Sequence, residues 1–183
     1  MEFIRTEIPE VFICKPNVFG DERGYFYESF KKEEFELFLG KQINFCQDNE
    51  AMSSLNVLRG LHYQLPPFAQ SKLVRVIKGI ILDVVVDIRK SSPTFGQHVI
   101  VELSEENKLQ LFIPKGFAHG YLTLEEETIF SYKVDNYYSK ETERGIMYND
   151  ASLNIEWGNK EVPFIISEKD QQQPNFKNAD LFE

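Results

Sequence analysis

The sequence predicts an antiparallel all-β sandwich or barrel with very little helix, and three observations lead there. Short apolar, strand-like runs follow one another from Ile43 to Val134, with turn-forming clusters between them. Sixteen Phe and eight Tyr stand beside only ten Gly, which suits a core of aromatic-rich strands. Only Lys31 to Leu39, where charged residues surround Phe35, Leu37, Phe38 and Leu39, reads as a helix, and Gly40 is placed to end it.

In chain order, Val11-Phe12-Ile13-Cys14 lies between Pro9 and Pro16 and reads as an edge or exchanged strand. Phe19 to Glu28 is a glycine-bracketed turn entering an aromatic strand, with Arg23 a solvated turn residue on composition alone. Strands are then expected at Ile43–Asn49, Val57–Gln64, Lys72–Lys78 and, after Gly79, Ile80–Arg89. In the last of these, alternation sets Val84, Val86 and Ile88 against Asp83, Val85 and Asp87. Ser91 to Gly96 is a turn, and further strands follow at His98–Leu103, Leu109–Ile113, Ala118–Leu124 and Thr128–Val134. After Trp157 the chain reads as mostly irregular. There is no internal repeat and no linker, so residues 1–183 are expected to form a single domain.

Composition narrows the function. An apolar fraction of 42 % is globular, and a net charge of −9 argues against nucleic-acid or membrane partners, which need a basic face. Cys14 and Cys46 lack CxxC spacing and lie in apolar runs, so both are expected to be buried, reduced thiols. The first residues lack a signal peptide's apolar run, and no segment approaches a spanning length, so a cytoplasmic location is expected.

Chemistry concentrates in Leu58-Arg59-Gly60-Leu61-His62-Tyr63-Gln64 and, soon after, Gln70-Ser71-Lys72-Leu73-Val74. Arginine and lysine are rarely carried into apolar strands without a task. Arg59 and His62 are three apart, so a regular strand would turn them to opposite faces. If both serve one pocket, the strand must change phase, and Gly60 is where a bulge is cheapest. Of the three histidines, His98 follows a turn and reads as structural or solvated, whereas His62 and His119 sit in strand-like sequence near glycines. Taken singly, each of those two can be a satisfied core histidine, Lys72 a solvated strand end and Tyr132 a core aromatic. A cupin-type metal site would need His-x-His, and His62 is followed by Tyr63 and Gln64, so no metal is expected. No nucleophile elbow, phosphate loop or dinucleotide fingerprint is present.

Further blocks are Phe19-Gly20-Asp21-Glu22-Arg23-Gly24, Gln47-Asp48-Asn49, Asp83 to Arg89, Ser92 to Gly96, Ile113-Pro114-Lys115-Gly116-Phe117-Ala118-His119-Gly120 and Tyr137-Tyr138-Ser139. With the two stretches above, they resemble the dTDP-4-dehydrorhamnose 3,5-epimerase family of deoxysugar-nucleotide biosynthesis, almost end to end. The resemblance implies a double-stranded β-helix, a cupin-like jelly roll with a few short helices, forming a homodimer without metal or organic cofactor. It implies a nucleotide-diphosphate sugar substrate, dTDP-4-dehydro-6-deoxy-D-glucose, epimerised at carbons 3 and 5. Motif by motif, His62 matches the family's base, Asp170 its carboxylate partner, Tyr132 the opposite-face acid and Lys72 the lysine near the carbon-4 ketone. Arg23, Glu28, Gln47, Asn49, Arg59, His119, Tyr138, Glu143 and Lys169 match substrate-lining positions, with Phe19 and Arg23 reaching the neighbouring subunit's nucleotide. Two departures stand out: Glu50-Ala51 where the family usually has His-Ser, and Tyr148 where relatives often have Trp.

Elementary chemistry asks for the same parts. A carbon-4 ketone acidifies the protons on carbons 3 and 5, because loss of either gives an enolate. Inversion then needs a base on one face, an acid on the other and positive charge beside the oxygen. The alternatives are an epimerase of one carbon only, an enzyme for another nucleotide-linked 4-ketosugar such as a GDP-linked heptose, or a non-catalytic sugar-nucleotide-binding barrel. A metal-dependent cupin isomerase or dioxygenase is disfavoured by the missing His-x-His.

Overall fold

The structure, a computed structural model, describes residues 1–158 and 162–183. Its frame is two antiparallel sheets packed face to face. The strands are β1 (Glu2–Arg5), β2 (Phe12–Lys15), β3 (Phe19–Asp21), β4 (Gly24–Phe26), β5 (Gln47–Ser53), β6 (Val57–Gln64) and β7 (Lys72–Lys78). They continue with β8 (Ile80–Asp87), β9 (His98–Ser104), β10 (Gln110–Ile113), β11 (Phe117–Thr123), β12 (Thr128–Val134), β13 (Glu143–Gly145) and β14 (Ile165–Ile166). One sheet has the order β1-β2-β10-β7-β12-β5 and the other β13-β6-β11-β8-β9, with β14 added parallel to β6. Strands β3 and β4 form a hairpin of their own.

Three apolar layers explain why so many strands read as almost continuously hydrophobic. Between the sheets lie Val74, Val76, Val85, Leu103, Leu111, Tyr121 and Phe130. The outer face of the second sheet buries Leu58, Leu61, Val84, Val86, Ile88 and Leu122 under the returning tail, which contributes Trp157, Phe164, Phe176 and Leu181. The outer face of the first sheet buries Leu73, Phe12 and Phe112 beneath Phe35 of helix α1 (Lys32–Leu39). A strand such as β8, covered on both faces, can therefore alternate in direction without alternating in polarity. The side assignments expected for Val84, Val86 and Ile88 against Val85 hold.

Helix α1 ends as its glycine predicts: Gly40 takes φ 73°, and its N–H donates to the Glu36 carbonyl at 2.9 Å. Leu37 is 84 % exposed, because it lies nearly opposite Phe35 on the helix and only the Phe35 face meets the sheet.

Several sequence expectations need correction. The run beginning at Phe12 is not an edge strand, since β1 pairs outside it in the register Glu2↔Lys15 to Arg5↔Phe12. The Ile43–Asn49 strand begins only at Gln47 and runs on to Ser53 along β12. The apolar character of Ile43 and Phe45 instead serves the phenylalanine layer around Phe35. Cys14 is buried, and desolvation pushes its thiol up to about 12. Cys46 is exposed, because it lies in the segment entering edge strand β5, with its Sγ–H 3.6 Å from the Val134 carbonyl. The tail after Trp157 is mostly irregular, as expected, with β14 and 3₁₀ turns at Asp170–Gln172 and Phe176–Asn178 among its described residues.

Candidate active site

The expected phase change on β6 is present. His62 pairs with His119 and Arg59 with Tyr121, so two residues of β6 stand opposite the single Gly120 of β11. Gly60 has φ 129°, and a Cβ there would come within 2.5 Å of the Gly120 Cα and 2.9 Å of the His119 carbonyl. A Cβ on Gly120 would in turn lie 2.8 Å from the Arg59 carbonyl. The two glycines let the backbones close on each other, which side chains would forbid. Leu58 and Leu61, three apart, consequently both join the outer apolar layer, and their neighbours Arg59, exposed, and His62, half-buried, both turn to the opposite face of β6.

His62 is part-exposed, and its Nε2 lies 2.5 Å from Asp170 Oδ1. Asp170 opens the first 3₁₀ turn of the tail and is 3 % exposed. Its backbone N–H donates to Ser167 Oγ, and its Oδ2 accepts the Gly60 N–H at 3.5 Å. Burial alone would raise the Asp170 carboxyl, but the bonds from His62, Gly60 and Ser167 outweigh it and hold the group below the usual range. It therefore stays ionised and directs the imidazole Nε2–H toward itself, leaving Nδ1 as the free nitrogen.

On the neighbouring strand His119 is buried, with Nε2 2.9 Å from Asp83 Oδ2. Desolvation dominates there and pulls the imidazole below its ordinary value, so it is neutral at pH 7. Lys72, at the start of β7 in the facing sheet, is drawn down to about 8 by desolvation, against opposing pulls from Asp83 and Glu143. Arg59 donates to Ser53 Oγ from Nε and Nη2 at 3.2 and 3.1 Å. Tyr132 faces inward beside Phe130, with ring centroids 5.4 Å apart. Desolvation raises its phenol, with Arg59 opposing, so the hydroxyl keeps its proton through neutral pH.

At the rim, Glu143 on β13 accepts from Lys169 Nζ at 2.6 Å and from the Tyr138 hydroxyl at 2.9 Å. Those bonds overcome its desolvation and hold its carboxyl low. On β5, Gln47 Nε2 donates to Asn49 Oδ1 at 2.7 Å, on the inward-facing side of that strand. Thus His62, Asp170, Lys72, Arg59, His119, Tyr132, Glu143, Lys169, Tyr138, Gln47 and Asn49 are gathered at one end of the sandwich.

Three expected site residues stand elsewhere in the chain's own fold. Phe19, 64 % exposed, and Arg23, ion-paired to Asp21 at 2.5 Å, occupy the β3–β4 hairpin. Glu28 is exposed in the connection between that hairpin and α1. Sequence reasoning missed Asp83, Ser53 and Tyr121. A buried carboxylate inside the valine run of β8 was the available signal for Asp83. Ser53 and Tyr121 had none, since each is assigned only by its contact or register with Arg59. Among the described residues, no group of three His, Cys, Asp or Glu side chains is arranged to hold a metal ion.

A family model described as dTDP-4-dehydrorhamnose 3,5-epimerase matches residues 5–178. The chain is 55 % identical over 182 residues to the dTDP-4-dehydrorhamnose 3,5-epimerase of Shigella flexneri, covering 100 % of this chain and 99 % of that protein. Among solved structures it is similar to the dTDP-6-deoxy-D-glucose-3,5-epimerase of Legionella pneumophila Philadelphia 1 in complex with dTDP-4-keto-L-rhamnose. That match has a TM-score of 0.95 and 46 % identity, covering 100 % of this chain and 97 % of the other. It is likewise similar to the dTDP-4-dehydrorhamnose 3,5-epimerase of Elizabethkingia anophelis NUHP1, with a TM-score of 0.93, 48 % identity and 97 % of each chain covered.

Proposed function

Because the chain belongs to the dTDP-4-dehydrorhamnose 3,5-epimerase family, with its cupin-like jelly roll, we infer from that premise how its own residues carry the reaction. The protein is an isomerase of dTDP-L-rhamnose biosynthesis, epimerising carbons 3 and 5 of dTDP-4-dehydro-6-deoxy-D-glucose. The observation that carries the assignment of roles is the His62–Asp170 pair at 2.5 Å, with Lys72, Arg59 and Tyr132 close enough to act electrostatically on the same group of residues.

His62 Nδ1 takes the proton from carbon 3 or carbon 5, and Asp170 stabilises the imidazolium that forms. The electron pair moves onto the carbon-4 oxygen, where the Lys72 ammonium meets the developing charge. Tyr132, its phenol held protonated by burial, returns a proton to the opposite face of the carbon, and exchange with solvent resets both groups. Arg59, fixed by Ser53, binds anionic substrate oxygens, which explains how a chain of net charge −9 holds a diphosphate. His119, Gln47, Asn49, Glu143, Lys169 and Tyr138 line the sugar and its attachment, while Glu28, exposed between the hairpin and α1, serves the partner's site.

The reading includes a single epimerase domain over residues 1–183 and a cytoplasmic homodimer. Phe19, Tyr25 and Phe26 are 64, 60 and 66 % exposed on the β3–β4 hairpin, apolar surface suited to a second copy. Phe19 and Arg23 then serve the partner's nucleotide rather than their own chain's.

The test is turnover of dTDP-4-dehydro-6-deoxyglucose in heavy water, read by mass spectrometry and NMR. Deuterium is expected at both carbons. Incorporation at one carbon only would reassign the chain as a single-site epimerase, and none at all would point to another substrate or to binding without catalysis.

A further inference from the structure

Two carboxylates of β8 point inward, and they are treated differently. Asp87 is saturated by Arg89, Ser92 and Thr94. Asp83 is equally buried, with Oδ2 on His119 Nε2, but its Oδ1 has no hydrogen-bond partner among the described residues. A buried carboxylate oxygen without a donor is costly, and it persists where nearby positive charge offsets the burial.

The charged and titratable groups around this position are Arg59 and His62 on β6, Lys72 on β7, His119 and Tyr121 on β11, Tyr132 on β12, Glu143 on β13 and, held by His62, Asp170 of the tail. Among the described residues, the carboxylates acting on Lys72 are Asp83 and Glu143. Glu143 is already engaged by the Lys169 ammonium and the Tyr138 hydroxyl. The imidazole bonded to Asp83 is neutral and so supplies no counter-charge. Asp83 is also the stronger of the two anions acting on Lys72.

We propose that Asp83 is a positioning residue of the epimerase: Oδ2 fixes His119 as the Nε2–H form, and the open Oδ1 keeps the Lys72 ammonium charged beside the reacting ketone. The proposal rests on Lys72 supporting the carbon-4 oxyanion, as inferred above. Desolvation already draws Lys72 to about 8, so without this anion the lysine would lose its proton within the working pH range. The rate is then expected to fall as pH rises through about 8, because the neutral amine no longer stabilises the enolate.

The test uses the full chain and Asp83→Asn, which keeps shape and removes charge. Lysine Cε is labelled with ¹³C, and the Lys72 signal is identified by its loss in Lys72→Met. In Asp83→Asn the Lys72 midpoint is expected to drop by about one pH unit, with the alkaline limb of kcat moving alongside it. A midpoint that stays in place while Lys72→Met is inactive overturns the role of Asp83 alone. Lys72→Met turning over at the unchanged rate would overturn the assignment of Lys72, and the catalytic purpose of Asp83 with it. A second measurement needs no variant to fold: ¹⁵N NMR of the unaltered protein should find His119 protonated at Nε2. A ring protonated only at Nδ1 could not donate to Asp83 and would refute the arrangement.

Discussion

His62 and His119 face each other across the β6–β11 ladder, each with Nε2 on a carboxylate removed from water, yet their surroundings diverge. The His62 side chain keeps 32 % of its surface open, and its partner comes from the tail, 108 residues later. The His119 side chain keeps 6 %, and its partner comes from the next strand of the same sheet, 36 residues earlier. The Asp170 carboxylate accepts from a ring and a backbone amide, and its own N–H donates to a serine hydroxyl, while Asp83 is left with an open oxygen. The same pair of functional groups is thus set up for two different jobs. Where the ring is reachable and its carboxylate well supported, an imidazole can accept and release a proton. Where the ring is sealed in, desolvation keeps it neutral, and it is confined to hydrogen bonding.

This contrast can be broken by substitution. His62→Ala should lower deuterium exchange at both sugar carbons by about 10⁴-fold, the upper end for loss of a positioned base. Asp170→Asn should cost about 10²-fold in kcat with little change in KM, since it removes the imidazolium's support and leaves the ring. His119→Gln, which can still donate to Asp83, should cost only about tenfold, the value of one neutral hydrogen bond. Steady-state kinetics of the three variants side by side would decide the matter, and equal losses at His62 and His119 would erase the distinction.

The smallest effect on rate belongs to a third carboxylate, Asp87, which shows what such a group does when its work is structural. Burial would raise it, but bonds from Arg89, Ser92 and Thr94 bring it to about 2. Its folded value lies below the unfolded one, so its stabilisation is present above about pH 4 and is lost as pH falls through about 2. Asp87→Asn should therefore leave kcat unchanged and lower stability at neutral pH by about 2 kcal/mol. Urea midpoints of the two proteins should converge as the pH is lowered from about 4 to about 2.

Much of the frame was legible in the sequence. The bounds of β6, β7 and β12 follow from apolar runs closed by turn residues, and the opposed faces of β8 from simple alternation. The phase change at Gly60 followed from requiring Arg59 and His62 to share a pocket. What escaped was whatever depended on a distant neighbour. Strand β5 carries Asn49, Glu50 and Ala51, weak strand formers, and only the ladder with β12 makes them extended. Strand β1 is too short to announce itself. Asp83 hid among valines because a carboxylate's partner is set by register, and Cys46 looked buried because its apolar neighbours are covered while it is not.

The tail that carries Asp170 has a consequence in time. A ribosome adding about 5–20 residues per second takes about 5–20 s to travel the 108 residues from His62 to its partner. During that interval the strand holding the proposed base is already made, and its carboxylate does not yet exist. The growing chain can lay down most of its sheets before the pair is assembled. Docking of the tail, which also seals Leu58 and Leu61 from water, is then the event that assembles the proposed pair. A late-made segment thus supplies the partner of a side chain made early.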